Sequence, residues 1–263
     1  MARIISVANQ KGGVGKTTTT VNTASAIAAR GKKVLIVDID PQGNSTIGLG
    51  IDKESEDENV YHLLVSGVPA MNVIKKTSYE NLDIMPSNID LTGAEVELVN
   101  EEERETRLKK GLSPIKKDYD YIFIDSPPSL GLLTLNSLVA SDSVMIPMQC
   151  EFYALDGLGQ LLSTISLVKE SFNPGLTIEG VVITMFDGRT SLSLQVVQEI
   201  KKKFKDRVYD TVIPRNVRLS EAPSFGQPID IYDRNSKGAA AYDRLAAEIT
   251  GIKEALKSAV RKG

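Results

Sequence analysis

The sequence predicts an α/β fold: a doubly wound, mostly parallel β-sheet flanked by helices on both faces. Apolar segments of strand length recur along the 263 residues, helix-length segments separate most of them, and the strand segments are apolar throughout. Strands that are apolar on both sides are typical of parallel sheets covered by helices on both faces. The predicted strands are 4–8, 34–39, 82–86, 121–125, 143–148, 178–185 and 208–214.

Three of the intervening segments have the apolar periodicity of helices. The first, 19–31, ends at Gly31, a residue type common at helix C-termini. Residues 155–172 repeat leucine and isoleucine at helical spacing, and residues 192–205 combine an apolar stripe with a charged face. These helices would supply the layers that cover the sheet.

Two segments are less regular. Residues 48–59 are polar and acidic, which predicts a surface loop, and the charge run at 100–111 predicts a helix with a solvated face. Neither an internal repeat nor a Pro/Gly/Ser-rich linker interrupts the pattern. We therefore expect a single domain over residues 1–263, with flexibility from about residue 252.

Composition narrows the class of protein. Hydrophobic residues make up 41% and charged residues 25%, as in soluble globular proteins, and the apolar runs are too short to span a bilayer. The N-terminus leads directly into a strand rather than a signal peptide, and one cysteine, Cys150, excludes a disulfide framework, so we expect a cytoplasmic protein. The net charge of −3 argues against a dedicated nucleic-acid binder but leaves room for a local basic patch.

The segment 4–20, IISVANQKGGVGKTTTT, has the order strand, glycine-rich loop, helix. Such a loop turns its amides inward and, with the following helix N-terminus, forms a cradle for phosphate. Lys16 is placed to reach the β- and γ-phosphates and Thr17 to bind Mg²⁺. Gln10 occupies the place of the first glycine of the strict motif, so the alternative is a glycine-rich turn without a ligand.

With Lys11 included, the loop reads K-G-G-x-G-K-T-T and resembles the deviant Walker A motif of the ParA/MinD class of P-loop ATPases. The resemblance implies the P-loop NTPase fold, ATP or ADP with Mg²⁺ as cofactors, and a Lys11 that reaches the nucleotide of a second subunit. A cation supplied in trans would act as an arginine finger does. The alternative is that Lys11 neutralises phosphate bound by its own chain. The implied nucleotide-binding residues of the loop are Lys11, Gly12, Gly13, Val14, Gly15, Lys16, Thr17 and Thr18.

Three acidic residues follow the ends of buried strands. Asp38 and Asp40 end VLIVDID, and Asp125 ends YDYIFID. Ligands of open α/β sheets bind at the carboxyl ends of the strands, which places these acids near the phosphates. Asp125 has the form of a Walker B carboxylate that holds Mg²⁺. The resemblance implies that Asp40 orients the attacking water and that Asp38 lies nearer the metal; the alternative is that Asp40 caps the turn at Pro41.

Two later groups of residues are further candidates for nucleotide contact. The loop Ser126-Pro127-Pro128 is stiff and is placed to sense the γ-phosphate, as switch segments do. In the related proteins the later strand ends surround the adenine, which makes Met185, Pro214 and Arg215 candidates for base contact.

Nearly the whole chain, from Arg3 to about Gly251, resembles the chromosomal ParA/Soj type of DNA-partitioning ATPase, in stretches such as DIDPQGNST, IDSPPSLGLLTLN and TVIPRNVRLSEAPSFG. The resemblance implies an ATP-dependent homodimer that associates with the nucleoid by binding double-stranded DNA without sequence preference. It also implies a ParB/Spo0J-like centromere-binding partner that stimulates ATP hydrolysis. The family's DNA-binding arginines correspond to Arg189 and Arg218, which we expect in loops with no nearby acid except Asp187 and Glu221. The lysine-rich segment 201–207 is either an extension of that patch or a solvated helix end.

Three rival classes share parts of this pattern. A MinD-like ATPase would dock on a membrane, but the C-terminal residues carry small apolar side chains and no aromatic anchor. A P-loop synthetase or kinase would need acid/base groups of its own, and the single histidine, His62, lies in a segment remote from the phosphate motifs. The nitrogenase iron-protein branch needs two cysteines per subunit, which Cys150 alone cannot supply.

Overall fold

The strands form one eight-stranded sheet in a computed structural model that describes residues 1–54, 58–151 and 156–252. Their order across the sheet is β3-β4-β2-β5-β1-β6-β7-β8, and every neighbouring pair is parallel except β3 and β4. All seven predicted strands are present, and β3 is a short edge strand that the apolar pattern did not indicate. The strands are β1 (Arg3–Val7), β2 (Val34–Asp38), β3 (Lys75–Lys76), β4 (Leu82–Met85), β5 (Tyr121–Asp125), β6 (Ser143–Gln149), β7 (Thr177–Phe186) and β8 (Val208–Pro214).

Helices cover both faces of the sheet, as predicted. Shorter 3₁₀ turns lie at Arg104–Thr106, Ser113–Ile115, Lys205–Arg207 and Ala222–Phe225, and a π-helical turn at His62–Ser66. The α-helices are α1 (Lys16–Ala28), α2 (Asn44–Gly48), α3 (Ala70–Val73), α4 (Leu91–Glu97), α5 (Arg107–Leu112), α6 (Leu132–Ala140), α7 (Asp156–Ser171), α8 (Ser191–Phe204), α9 (Val217–Glu221), α10 (Ile229–Tyr232) and α11 (Lys237–Thr250).

Alternate residues of the central strands enter different cores, which explains their continuous apolar character. In β2, Val34 and Ile36 pack in the core that contains α1 and α11, whereas Leu35 and Val37 pack in the core that contains α4 and α5. A third core lies between α7, α8 and the strands β6 and β7. Because both faces are buried, neither set of side chains is polar.

Two helix predictions need correction. The first helix begins at Lys16 rather than at residue 19, because Gly15 (φ 87°) ends the loop. Thr19 and Thr20 in its first turns are held by hydrogen bonds to Tyr242 and Asp125. In the charge run 100–111, residues 100–103 are not helical; a 3₁₀ turn begins at Arg104 and α5 follows it. The loop predicted at 48–59 is confirmed in its described part beyond α2, while residues 55–57 and 253–263 lie outside the described residues.

Candidate active site

The predicted phosphate and metal residues meet at the carboxyl edge of three adjacent strands. β5 lies between β1 and β2, and the register places Asp125 opposite both Val7 and Asp38. The glycine-rich loop follows β1, and the turn that contains Asp40 follows β2. The parallel sheet therefore brings together residues that are separated by more than a hundred positions in the chain.

The glycine-rich loop is shaped by two left-handed residues, Gly13 (φ 73°) and Gly15 (φ 87°), a conformation that favours glycine. The side chain of Lys16 is buried and folds back across the loop, where its Nζ donates to the carbonyl oxygen of Lys11 at 3.2 Å. Burial lowers the pKa of Lys16, and the negative charges of nearby acids oppose that shift. The ammonium group of Lys16 therefore lies across the glycine-rich loop.

Lys11 points in a different direction from Lys16. Its backbone N–H donates to Asn9 Oδ1 at 3.0 Å, but its Nζ forms an ion pair with Glu151 beyond the end of β6. Both side chains of the pair are partly exposed, by 35% and 46%. The Lys11 ammonium is thus held at the protein surface rather than inside its own loop.

Asp125 is buried and is surrounded by hydroxyl groups. Ser45 Oγ donates to its Oδ2 at 2.8 Å and Thr20 Oγ1 to its Oδ1 at 3.3 Å, and the Thr17 side chain also hydrogen-bonds to this carboxyl. Burial raises the pKa of Asp125, and the hydrogen bonds from Ser45 and Thr17 oppose that shift. The carboxylate and the Thr17 hydroxyl therefore lie together at the start of α1.

Asp38 holds the turn that carries Asp40. Its Oδ2 accepts from the backbone N–H of Thr46 at 2.9 Å and from Thr46 Oγ1 at 2.8 Å, and its Oδ1 accepts from the backbone N–H of Asp40 at 3.2 Å. Burial and the neighbouring Asp125 both raise the pKa of Asp38. Every observed contact of Asp38 therefore fixes the segment that follows β2.

Asp40 combines turn capping with a free oxygen. Its Oδ1 accepts from the backbone N–H of Gln42 at 3.0 Å, and its carbonyl oxygen accepts from Ser87 Oγ at 2.8 Å. Its Oδ2 accepts no hydrogen bond from any residue that the structure describes. Asp40 is only 8% exposed and lies close enough to Lys16 for its negative charge to oppose the lowering of the Lys16 pKa by burial. The capping alternative is thus observed, and it occupies one of the two carboxylate oxygens.

The donor set fits Mg²⁺ in a nucleotide complex. Within residues 1–54, 58–151 and 156–252, no group of three His, Cys, Asp or Glu side chains could hold a metal ion. Mg²⁺ in phosphate-transfer sites is usually bound by one or two carboxylates together with phosphates and water. Asp125 and the Thr17 hydroxyl, next to the phosphate loop, provide a partial set of this kind.

The three residues proposed to contact the base, Met185, Pro214 and Arg215, line one cleft of about 310 Å³. Met185 has a positive φ of 50°, a strained backbone conformation of the sort found at ligand sites. Loop residues Gly15 and Thr18 line the same cleft, so it opens beside the phosphate cradle. The remaining lining residues are Thr184, Ile213, Asn216, Leu219, Ser220, Pro223 and Tyr242.

Comparisons with known proteins identify the family. A family model described as an AAA domain matches residues 2–178. The chain is 59% identical to the sporulation initiation inhibitor protein Soj of Bacillus subtilis, over 95% of this chain and 98% of that protein. It is 52% identical to the chromosome partitioning protein ParA of Myxococcus xanthus, over 95% of this chain and 88% of that protein. The chain belongs to the ParA/Soj family of chromosome partitioning ATPases.

A solved structure resembles this ParA/Soj-family chain along almost its full length. It is a crystal structure of cobyrinic acid a,c-diamide synthase from Mycobacterium smegmatis with bound ADP and magnesium. The TM-score is 0.83 and the identity 38%, with 96% of this chain and 98% of that chain covered. The similarity confirms the predicted fold.

The two arginines predicted to contact DNA, Arg189 and Arg218, lie on the surface, and both are paired with acids. Arg189 is 88% exposed and forms an ion pair with Asp187 at 2.7 Å. Arg218 pairs with Glu221 at 2.9 Å and with Asp233 at 3.4 Å. The sequence indicated Asp187 and Glu221 as the nearby acids; Asp233 is an addition, and Arg218 lies in the helix α9 rather than in a loop.

The motifs did not reveal four residues that organise the site of this ParA/Soj-family ATPase. Ser45, Thr46 and Thr20 hold the buried carboxyls, and Glu151 holds Lys11. The only signal for the first three was the hydroxyl-rich composition of the segments that follow β2 and the glycine loop. Glu151 has no such signal, because it meets Lys11 only when β6 is placed beside β1.

Proposed function

We propose that this chain acts as a single-domain, ATP-driven switch in DNA partitioning. ATP binding drives formation of a sandwich dimer that binds DNA without sequence preference. Hydrolysis, stimulated by a ParB/Spo0J-like centromere-binding partner, separates the dimer and releases it from the nucleoid into the cytoplasm. The observation that carries the proposal is the divergence of two lysines of one loop, with Lys16 folded over the loop and Lys11 turned outward to Glu151.

The proposed partner of the outward Lys11 cation is a phosphate bound by a second subunit. The Lys11–Glu151 pair is partly exposed, and such pairs contribute only about 0–1 kcal/mol, so a γ-phosphate can compete for the lysine. A charge delivered in trans stabilises the transferring phosphoryl group and makes catalysis depend on assembly. ATP binding and dimerisation would then be a single linked event.

The remaining residues divide the work of hydrolysis. Lys16 neutralises the β- and γ-phosphates, Asp40 orients the attacking water through its free oxygen, and Thr17 with Asp125 holds Mg²⁺. The metal ion, when bound, offsets the charge that develops on the phosphate oxygens. Turnover should be slow for the isolated chain, since the water must be aligned and the partner is proposed to complete that alignment.

Measuring molecular mass by light scattering with no nucleotide, ADP and ATP tests the switch. Asp40→Ala should accumulate as an ATP-bound dimer with little hydrolysis, whereas Lys11→Ala should bind ATP and stay monomeric. Lys110→Ala is a matched control, because Lys110 is also an exposed lysine paired with a glutamate, Glu103, and should dimerise normally. A wild-type protein that stays monomeric with a non-hydrolysable ATP analogue would contradict the proposal.

DNA binding by Arg189 and Arg218 has a predicted salt dependence. The pairs with their acids are exposed and weak enough for phosphate to displace. Two arginines per subunit give about four phosphate contacts per dimer and a slope of roughly −3.6 in log K against log salt, or about 150-fold between 50 and 200 mM salt. Changing both to Glu should abolish DNA co-sedimentation while ATP binding persists; loss of nucleotide binding as well would point to misfolding.

Two rival functions have their own tests. The 38% identity to a diamide synthase favours a function as a small-molecule ligase, but the identities to Soj and ParA are higher. His62 offers that rival little, because its Nδ1 accepts from the backbone N–H of Asn59 within its own turn. ATP hydrolysis that requires a diacid and an amine donor would support the ligase.

No helix among the described residues could cross a membrane, and flotation with liposomes and ATP tests for MinD-like surface docking.

A further inference from the structure

Three buried serine hydroxyls form a closed triangle behind the active site. Ser6 Oγ lies 2.7 Å from Ser137 Oγ and 3.1 Å from Ser126 Oγ, and Ser126 Oγ lies 2.7 Å from Ser137 Oγ. Each residue is at most 1% exposed. Every hydroxyl is therefore within hydrogen-bonding distance of both others and is shielded from water.

A ring of three hydroxyls is satisfied only as a unit. Each hydroxyl can donate to one neighbour and accept from the other, so the three bonds run around the ring in one sense. Hydrogen bonds in such a buried network strengthen one another, and removal of one member leaves a buried donor or acceptor unpaired. The relative positions of the three hydroxyl groups are therefore tightly constrained.

The ring joins the three elements that frame the metal and phosphate groups. Ser6 lies in β1, which leads into the phosphate loop, and Ser126 directly follows Asp125. Ser137 lies in α6, the helix that follows the loop 126–131. The ring therefore attaches the start of that loop to two different elements.

Further contacts secure the loop and α6. The backbone N–H of Ser126 donates to the carbonyl oxygen of Val7 at 3.3 Å, and Thr134 Oγ1 donates to the carbonyl oxygen of Ser129 at 2.6 Å. On α6, Asn136 accepts from the backbone N–H of Leu108 at 3.1 Å, which attaches the helix to α5. The ring is thus built on a helix that is itself held in place.

We infer that the hydroxyl ring of Ser6, Ser126 and Ser137 positions Asp125 and the loop 126–131 against the phosphate loop for ATP hydrolysis. The three serines are positioning residues, since they act through Asp125 and the loop. The inference deepens the proposed function and rests on the proposed metal role of Asp125 and on the expected phosphate-sensing role of the segment Ser126-Pro127-Pro128.

Steady-state ATPase kinetics of Ser137→Ala, with Ser141→Ala as matched control, test the ring. Ser141 lies just beyond the same helix and is 2% exposed, and its hydroxyl donates to the carbonyl oxygen of Ser137 at 2.7 Å rather than to the ring. Small errors of position cost large factors in rate, so Ser137→Ala should lower kcat about tenfold, leave KM for ATP within about twofold, and raise the Mg²⁺ concentration for half-maximal rate. Ser141→Ala should change none of these.

Two further variants keep the test decisive if Ser137→Ala does not fold. Ser6→Ala and Ser126→Ala should each show the same loss of kcat. The double variant with both substitutions should have a kcat within about twofold of either single variant, because one break already opens the ring. Folded single variants with wild-type kcat, or a fully multiplicative double variant, would overturn the inference. Asp125→Ala is assayed in parallel: if it keeps Mg²⁺-dependent activity, the proposed metal role itself is wrong, whatever the serine variants do.

Discussion

Thr46→Val removes a hydroxyl that connects Asp38 to the end of the neighbouring strand β4. Thr46 Oγ1 donates to Asp38 Oδ2 at 2.8 Å and accepts from the backbone N–H of Ser87 at 3.0 Å, and Thr46 has no exposed surface. Valine has the same shape but makes neither bond. Losing the bond to the carboxyl costs about 2 kcal/mol, and leaving the Ser87 amide unpaired costs about 2 kcal/mol more.

A total of about 4 kcal/mol should lower the melting temperature by roughly 8–16 °C for a chain of this size. Thr46→Ser is the control, because it keeps both hydrogen bonds and loses one methyl group, at about 1 kcal/mol. Scanning calorimetry without nucleotide or Mg²⁺ compares the two variants. If they melt within about 2 °C of each other, the hydroxyl does not hold Asp38 as argued.

Three further predictions concern burial and close packing. Burial raises the pKa of the Cys150 thiol to about 11. Iodoacetamide at pH 8 should therefore label the folded protein about 100-fold more slowly than the urea-unfolded protein, and equal labelling rates would contradict this. Burial also raises the pKa of Asp230, so its ionised form is disfavoured in the folded state, and the contribution of Asp230 to stability should fall as pH rises above its unfolded pKa of about 4. Asp230→Asn should therefore melt above wild type at pH 7 but not at pH 4, and a lower melting temperature at both would refute the argument. A Cβ on Gly226, which has a φ of 62°, would lie 2.6 Å from the Cα of Gly50. Gly226→Ala should therefore lower the free energy of unfolding, measured by chemical denaturation, by about 2–5 kcal/mol. Gly251→Ala, where the space around the glycine is open, should lower it by only about 1 kcal/mol.

The phosphate loop and its acids could be predicted because each signal is local. A glycine-rich loop between a strand and a helix, and an acidic residue at the end of a buried strand, are read from a few adjacent residues. Lys16, Thr17 and Asp125 meet in the structure as the motifs predicted. The start of α1 was predicted too late, since the tertiary contacts of its threonines are not visible in a local pattern.

Contacts between distant segments could not be predicted in the same way. The partner of Lys11 is Glu151, 140 residues away, and the members of the serine ring are up to 131 residues apart. A serine in a strand and a serine in a helix carry no mark of their pairing. The pairing follows only when the strand order places β6 and β5 on either side of β1.

By itself, the sequence determined the class of fold, the nucleotide cradle and the family, because continuous apolar strands, glycine positions and strand-terminal acids act over a few residues. The tertiary structure alone decided where charges and hydroxyls are satisfied: which carboxyl holds the turn after β2, which oxygen of Asp40 caps that turn, and which way Lys11 points. The physical reason is that buried polar groups must find partners wherever the packed elements bring them, and sheet order rather than sequence distance determines which groups meet.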